Sequence, residues 1–203
     1  MRELRSTAKD EQADDAIDAV FESLQAFELD DFELAAEQAE KAKSLASRSG
    51  QVRELLGLTY YHLERWQECS RELLTFKRLT NSVDENHVIA DCYRALGRPE
   101  RAKEMCNEVL RSQVTLETWA ELCMVRAGAH ADLGEFDEGL ASLARVKLKS
   151  GSIEDLHLKL WYVESDLLEK AGKTQAARKL WEKIAEADPD FFDVAERLSA
   201  KPK

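Results

Sequence analysis

The sequence predicts an all-α fold made of repeated pairs of antiparallel helices, and three features of its 203 residues support that prediction. Apolar residues recur at helical spacing, as in residues 86–109, where Gly97 divides two amphipathic segments. A turn residue recurs at intervals of 34, 33, 37 and 38 residues, at Leu29, Leu63, Leu96, Leu133 and Ala171. Small residues stand at fixed distances from these turns. Repetition at such a period is typical of a helical array.

The small residues form two columns. Six positions before each turn residue stand Ser23, Gly57, Ala90, Ala127 and Ser165. Six positions after it stand Ala35, Cys69, Ala102, Gly139 and Ala177. Because a small side chain lets two helices approach closely, we expect both columns at the contact between the helices of each pair. Gly97, Gly134 and Gly172 follow three of the turns, where glycine adopts a positive φ without steric cost.

The last pair carries the clearest pattern, which consists of Trp161, Ser165, Leu168, Gly172, Ala177, Trp181 and Pro189. In these residues the chain resembles the tetratricopeptide repeat family, whose unit is a helix-turn-helix of about 34 residues. The resemblance implies a right-handed α-solenoid of about five units plus a C-terminal capping helix. More narrowly, the chain is similar to actinobacterial proteins of this family in the segments VIADCYRALGRPERA and RAGAHADLGEFDEGLASL.

The register predicts the domain organisation. We expect a polar N-terminal arm over residues 1–12 and one solenoid domain over 13–203. Its units are expected at about 13–48, 50–82, 84–111, 116–148 and 153–189, with the capping helix at 189–200 and loops near 111–116 and 148–153. Polar or small residues replace the usual apolar ones at several positions, and we expect looser packing there: Glu22, Arg53, Asn86, Cys123, Arg126 and Glu164.

Composition excludes several classes of function. The net charge is −11, whereas nucleic acids and anionic membranes bind through Lys and Arg, so we expect neither as a partner. No apolar run reaches the ~18 residues of a membrane-spanning helix, and the polar start lacks the apolar core of a secretory signal. We therefore expect a cytoplasmic protein. Cys69, Cys92, Cys106 and Cys123 form no Cys-x-x-Cys pair, which favours reduced core thiols over a metal site.

The residues predict no catalytic chemistry. No Ser, Cys or carboxylate stands at a recognisable nucleophile–base spacing from a histidine, and no phosphate-cradling glycine loop occurs. His130 is expected in the core and His157 in solvent, while His62 and His87 are expected to face the hollow of the solenoid. We therefore expect a non-enzymatic protein without a cofactor.

The hollow is the expected binding surface, because the first helix of each tetratricopeptide unit lines the concave face. The register places there Leu24, Phe27, Leu58, Tyr61, His62, His87, Asp91, Arg94, Met124, Tyr162 and Asp166. Exposed aliphatic and aromatic residues favour a groove for a peptide or helix of a partner protein. In this interpretation the chain is a scaffold or adaptor. Arg94 is the only cation in the central columns, so we do not expect the carboxylate clamp that binds chaperone tails in one class of the family.

Two alternatives stay open at this point. Residues such as Leu58 and Val20 would also suit simple packing between adjacent first helices. The chain is alternatively a structural subunit that self-associates, as a homodimer, through the ends of the solenoid or its N-terminal apolar groove. Four phenylalanines motivate this second alternative: Phe21, Phe27, Phe191 and Phe192.

Overall fold

The computed structural model describes residues 2–8, 12–148 and 154–199, and it places twelve α-helices in them. The helices are α1 (Arg2–Thr7), α2 (Ala13–Glu28), α3 (Phe32–Leu45), α4 (Gly50–His62), α5 (Trp66–Thr80), α6 (Asn86–Ala95), α7 (Pro99–Asn107), α8 (Leu116–Asp132), α9 (Phe136–Leu143), α10 (Asp155–Lys170), α11 (Thr174–Ala187) and α12 (Val194–Ser199). The all-α class predicted from the sequence is confirmed. A 3-10 turn at Arg111–Gln113 occupies the first expected loop; the second lies almost wholly outside the described residues.

The chain divides into two compact units, residues 1–98 and 99–203. In the first unit α2 packs on α3 and α4 on α5; in the second, α8 packs on α9 and α10 on α11. These are four of the five helix pairs that the register predicts. The bounds expected for a single solenoid domain and its five units stay predictions.

The turns between paired helices share one backbone conformation. The residue after each turn residue has a positive φ, which is 68°, 77° and 74° at Gly97, Gly134 and Gly172. Asp30 and Glu64 adopt the same left-handed conformation with φ of 57° and 56°. A side chain makes this conformation costly, so the first two turns carry local strain that glycine relieves in the others.

Both small columns are buried at helix contacts, as predicted; all ten of their residues are inaccessible or nearly so. The Ser23 hydroxyl donates a 2.8 Å hydrogen bond to the carbonyl of Ala35, which joins one member of each column across α2 and α3. A Cβ atom added at Gly57 would lie 2.5 Å from Cδ2 of Leu73 on α5. Larger side chains would therefore force the paired helices apart.

The looser packing expected at the atypical positions is wrong for three of them. Asn86, Cys123 and Arg126 have exposed fractions of 1%, 1% and 6%. The buried Arg126 guanidinium donates hydrogen bonds to Ser142 Oγ at 3.1 Å and Asn107 Oδ1 at 3.3 Å. Burial lowers the pKa of Arg126. Polar partners thus replace the apolar contacts that a leucine would make at this position.

The N-terminal segment differs from the expected polar arm. Residues 2–7 form α1, and Leu4 is buried against a cluster that includes Ile17 and Val52. The Glu3 carboxylate accepts a hydrogen bond from the backbone N–H of Gly50, the first residue of α4. One apolar side chain and one helix cap therefore fix a segment that is otherwise polar.

The C-terminal cap is shorter than expected, because α12 begins at Val194 rather than near residue 189. Phe191 and Val194 are buried in a cluster with Trp181 and Ile184, whereas Phe192 is 70% exposed. The inward phenylalanine is therefore Phe191. Ala195, the next residue of α12, is exposed.

Candidate functional site

A cavity of about 390 Å³ opens between the first helices α2 and α4. Its lining consists of Leu4, Val20, Phe21, Leu24, Gln51, Glu54, Leu55 and Leu58. Phe21 and Leu24 remain 50% and 42% exposed at its rim. Six of the eight lining residues are apolar, so this surface gains free energy when another apolar group displaces its water. We call it the α2–α4 cavity.

One helical turn further along both helices lies a cluster of aromatic rings from Phe27, Phe32, Tyr61, His62 and Trp66. The His62 ring stacks on Phe32 with centroids 4.3 Å apart and packs edge-on against Phe27 at 5.2 Å. The ring of Tyr61 packs edge-on against Trp66 at 5.4 Å. His62 itself is exposed. Residues three or four positions apart share a helix face, so Phe27 lies on the same face of α2 as Leu24, and Tyr61 and His62 lie on the same side of α4 as Leu58. Phe32 and Trp66 join the cluster from the first positions of α3 and α5.

Tyr61 also joins α4 to α6. Its hydroxyl donates a 2.7 Å hydrogen bond to Asp91 Oδ2, and Arg94 donates to Asp91 Oδ1 at 2.9 Å. Burial, together with the hydrogen bond to Asp91, raises the pKa of Tyr61, so the phenol stays neutral and keeps its donor. The structure thus brings together three of the predicted site residues from two adjacent first helices.

Carboxylates gather next to the α2–α4 cavity. Burial raises the pKa of Glu54, a residue of the cavity wall, and the nearby charges of Asp84 and Glu3 raise it further. Burial raises the pKa of Glu85 to about 7, with contributions from Glu54 and Asp84. The repeat register does not identify Asp84 and Glu85, which directly precede α6 and belong to no repeated column.

His87, the other histidine predicted for the groove, is held locally. Its Nδ1 lies 2.8 Å from the carbonyl oxygen of Asp84, and the residue is half-buried. His130 is also half-buried, with Nδ1 2.6 Å from Glu135 Oε2. His157 is half-buried too, its ring 5.8 Å from that of Trp161.

The groove residues that were predicted within residues 99–203 have other roles in the structure. Met124 is 8% exposed and lies in the core beside Leu143 and Leu160. It therefore offers no surface for a partner, which corrects its predicted position. The register misplaces it because α8 is buried on most of its sides.

Tyr162 and Asp166 contact the chain's own C-terminal segment. The Tyr162 hydroxyl donates a 2.7 Å hydrogen bond to Asp193 Oδ1, and its ring packs against Phe192 with centroids 5.1 Å apart. Arg197 lies 3.4 Å from Asp166 and 2.9 Å from Glu169. We therefore assign these side chains to holding α12 and not to the binding surface.

Within the described ranges, no group of three or more His, Cys, Asp or Glu residues has a metal-binding arrangement. All four cysteines are free and buried, as the sequence predicted. The carboxylate of Glu72 is buried but pairs with Arg53, Lys43 and Arg71, which makes it part of the helix packing. None of the described helices is long and apolar enough to cross a membrane.

Comparison with known proteins places this arrangement in context. Residues 86–113 match the tetratricopeptide repeat model. The fold is similar to that of TTC0263, a thermophilic tetratricopeptide protein of Thermus thermophilus, with a TM-score of 0.70 and 19% identity over 91% of this chain and 97% of that one. No curated protein sequence matches the chain.

Two further solved structures share the fold. The MamA protein matches with a TM-score of 0.66 and 15% identity, covering 92% of this chain and 98% of that one. YrrB, described as a tetratricopeptide protein with an unusual peptide-binding site, matches with a TM-score of 0.62 and 18% identity over 92% and 93% of the two chains. The helical-repeat architecture predicted from the sequence is thereby confirmed, while the narrower likeness to actinobacterial proteins stays a prediction.

Proposed function

Because residues 86–113 are a tetratricopeptide repeat and the chain has the fold of tetratricopeptide solenoid proteins, we propose that it is a non-enzymatic module that binds a peptide or helix of a partner protein. Folds of this family serve in general as scaffolds for protein–protein interaction. The proposed binding surface lies on the first helices of residues 1–98. It comprises Leu24, Phe27, Leu58, Tyr61, His62, His87, Asp91 and Arg94.

The observation that carries the proposal is the apolar surface that α2 and α4 leave uncovered. Phe21 and Leu24 keep about half of their surface in water at the rim of the α2–α4 cavity. A chain gains nothing in folding stability from such exposure, and concave apolar surfaces of this kind are typical of binding sites. The peptide-binding site described for YrrB, a protein of the same fold, supports this interpretation by analogy.

The arrangement of aromatic residues also suits binding. The ring cluster beside the cavity is held by stacking and edge-on contacts, and Tyr61 is fixed by its hydrogen bond to Asp91. Rings that are ordered before binding lose little conformational entropy when a partner arrives. Central aromatic residues of this kind often supply most of the binding free energy.

Affinity capture from the native lysate tests the proposal with a matched pair of variants. Leu24 on α2 and Leu34 on α3 are the same residue type with the same 42% exposure, but only Leu24 lies at the cavity. We expect Leu24→Ser to reduce the captured partner by about tenfold, while Leu34→Ser retains it. Equal recovery by both variants, with unchanged helical content by circular dichroism, would reject this binding surface.

Self-association is the alternative function that the same exposed residues favour, since Phe21 and Leu24 would also pair with a second copy. Sedimentation velocity distinguishes the two. A stable dimer that Leu24→Ser converts to a monomer would favour a structural subunit, whereas a monomer in both cases leaves the surface open for another protein.

A further inference from the structure

The α2–α4 cavity and the carboxylates beside it point to the chemistry of the partner, an inference that rests on the proposed function. We propose that the cavity receives apolar side chains of a cationic amphipathic segment from another protein. Lys or Arg residues of that segment would lie against Glu54 and Glu85, and its apolar residues would contact Leu24, Leu58 and Val20.

The size and composition of the cavity define the apolar half of the ligand. Its volume of about 390 Å³ is at the lower end of the ~300–1,000 Å³ that is usual for ligand pockets. Such a space takes a few side chains in place of roughly a dozen waters of about 30 Å³ each. Leu4, Val20 and Leu55 form walls without hydrogen-bonding groups, so aliphatic or aromatic side chains fit it better than polar ones.

The carboxylates define the charged half. Glu54 belongs to the cavity wall, and the charges that influence it are those of Asp84 and Glu3. Glu85 is influenced in turn by Glu54 and Asp84. The charges that act on the pKa values of both residues are thus those of carboxylates. A cation brought to this position would relieve their mutual repulsion, whereas a ligand carboxylate would increase it.

The net charge argues against a second copy of the chain as the occupant. Each copy carries a net charge of −11, so two copies repel each other at long range. On docking, the acidic surface of one copy would also be repelled by the carboxylates beside the cavity of the other. A cationic segment is attracted instead. The apolar stripe of an amphipathic helix also matches a cavity formed between two helices, because its anchors recur every three or four residues.

Synthetic peptides of about 16 residues, long enough to form a helix on binding, test the proposal by fluorescence anisotropy. The first peptide carries leucines on one face and lysines beside them; the second has glutamate at every lysine position; the third keeps the lysines but has serine at every leucine position. We expect the first peptide to bind at least about tenfold more tightly than either of the others, a difference of about 1.4 kcal/mol.

Two double variants of the protein test whether Glu54 and Glu85 cause the preference for the lysine peptide over the glutamate peptide. At about pH 8.5, where Glu85 with its pKa of about 7 is ionised, Glu54→Gln/Glu85→Gln removes two charges at the cavity, and Glu33→Gln/Glu37→Gln removes two exposed charges from α3. Both variants change the net charge equally, so long-range attraction falls equally in both. We expect only the first to reduce the preference for lysine over glutamate, to less than about threefold. Equal preference in the two variants, or equal affinity of wild-type protein for the first two peptides, would overturn the proposal.

The same measurements distinguish failure of the cationic preference from failure of the proposed binding surface. If both leucine peptides bind equally and Leu24→Ser abolishes both, the binding surface stands and the cationic preference is wrong. If Leu24→Ser leaves the affinity of the first peptide unchanged, both the proposed surface and the cationic preference are rejected. Both are also rejected if the first peptide does not bind to the wild-type protein. Dimerisation through the cavity that excludes the peptides would likewise reject the cationic occupant and favour a second copy.

Discussion

Gly57 of α4 packs so closely on Leu73 of α5 that the missing side chain is part of the contact. A Cβ atom at this glycine would lie 2.5 Å from Leu73 Cδ2 and 2.6 Å from Cγ, and Leu73 has no exposed surface into which to move. The crossing of α8 and α9 is also close, since a Cβ at Gly139 of α9 would lie 3.1 Å from the carbonyl oxygen of Ala127 on α8; the same Cβ would lie 2.4 Å from Leu167 Cδ2 on the next helix, α10. The distance between paired helices is therefore set by the smallest residue at their crossing.

Substituting Gly57→Ala should lower the free energy of unfolding by about 1–2 kcal/mol, because overpacking outweighs the better helix propensity of alanine. Urea titration followed by circular dichroism measures the change. Leu73→Ala, measured alone and combined with Gly57→Ala, serves as the control. We expect the combined loss to be smaller than the sum of the separate losses; strict additivity would mean that the two side chains do not collide.

Substituting Glu64→Gly should raise the free energy of unfolding by about 0.5–1 kcal/mol, since glycine relieves the left-handed strain and this gain exceeds the added freedom of the unfolded chain. The φ of 56° and the exposed position of Glu64 motivate the choice. Gly97→Ala, at φ of 68° with open space around it, should have the opposite effect. A thermal melting series compares them; a destabilised Glu64→Gly protein would contradict the assignment.

The free energy of unfolding should fall as the pH rises from 4.5 to about 7, the range over which Glu85 is ionised in the unfolded but not in the folded chain. The folded pKa of this carboxyl is about 7, compared with its ordinary value of 4.5, because burial and the neighbouring acids disfavour its charge. Below pH 4.5 the carboxyl is protonated in both the folded and the unfolded chain, so the raised pKa costs nothing. Between pH 4.5 and 7 the unfolded chain ionises first, and this lowers the free energy of unfolding by about 2 kcal/mol, reduced from the full shift because Glu85 is only half-buried.

Glu85→Gln should remove most of that decline. The free energy of unfolding of the variant, relative to that of the wild-type protein, should therefore be higher at pH 8 than at pH 4. Urea titrations at the two values measure it. Glu37→Gln, at an exposed position on α3, should instead follow the wild-type profile. If Glu85→Gln also follows the wild-type profile, the carboxyl ionises in the folded protein as readily as it does in water.

Substituting the two adjacent phenylalanines of the C-terminal cap by alanine should lower the free energy of unfolding by very different amounts. Phe191→Ala removes a ring that is 9% exposed and should cost about 2–3 kcal/mol, whereas Phe192→Ala removes one that is 70% exposed and should cost less than about 1 kcal/mol. Chemical denaturation monitored by tryptophan fluorescence measures both, and Trp181, which belongs to the same cluster as Phe191, contributes to that signal. Equal losses would contradict the assignment of Phe191 as the inward residue.

The sequence predicts those parts of the structure that obey local constraints. Columns such as Ser23 and Ala35 are recognisable because close helix contact excludes large side chains wherever it recurs. Contacts that do not repeat are invisible to this reasoning. Asp84 and Glu85 reach Glu54 from a loop before α6, and Tyr162 meets Asp193 through the irregular segment before α12. Those positions depend on tertiary packing that occurs once in the chain, so no column marks them.

The placement of Leu4 has a practical consequence for handling the protein. This side chain is buried among core residues and also forms part of the wall of the α2–α4 cavity, so the first helix is a structural neighbour of the surface to be assayed. Foreign residues fused directly ahead of α1 would stand only a few positions from Leu4 in the sequence, so they would compete with a probe for the cavity that Leu4 lines. Labels and affinity handles therefore belong after α12, and measurements on protein tagged at the opposite terminus should be repeated once the tag has been cleaved.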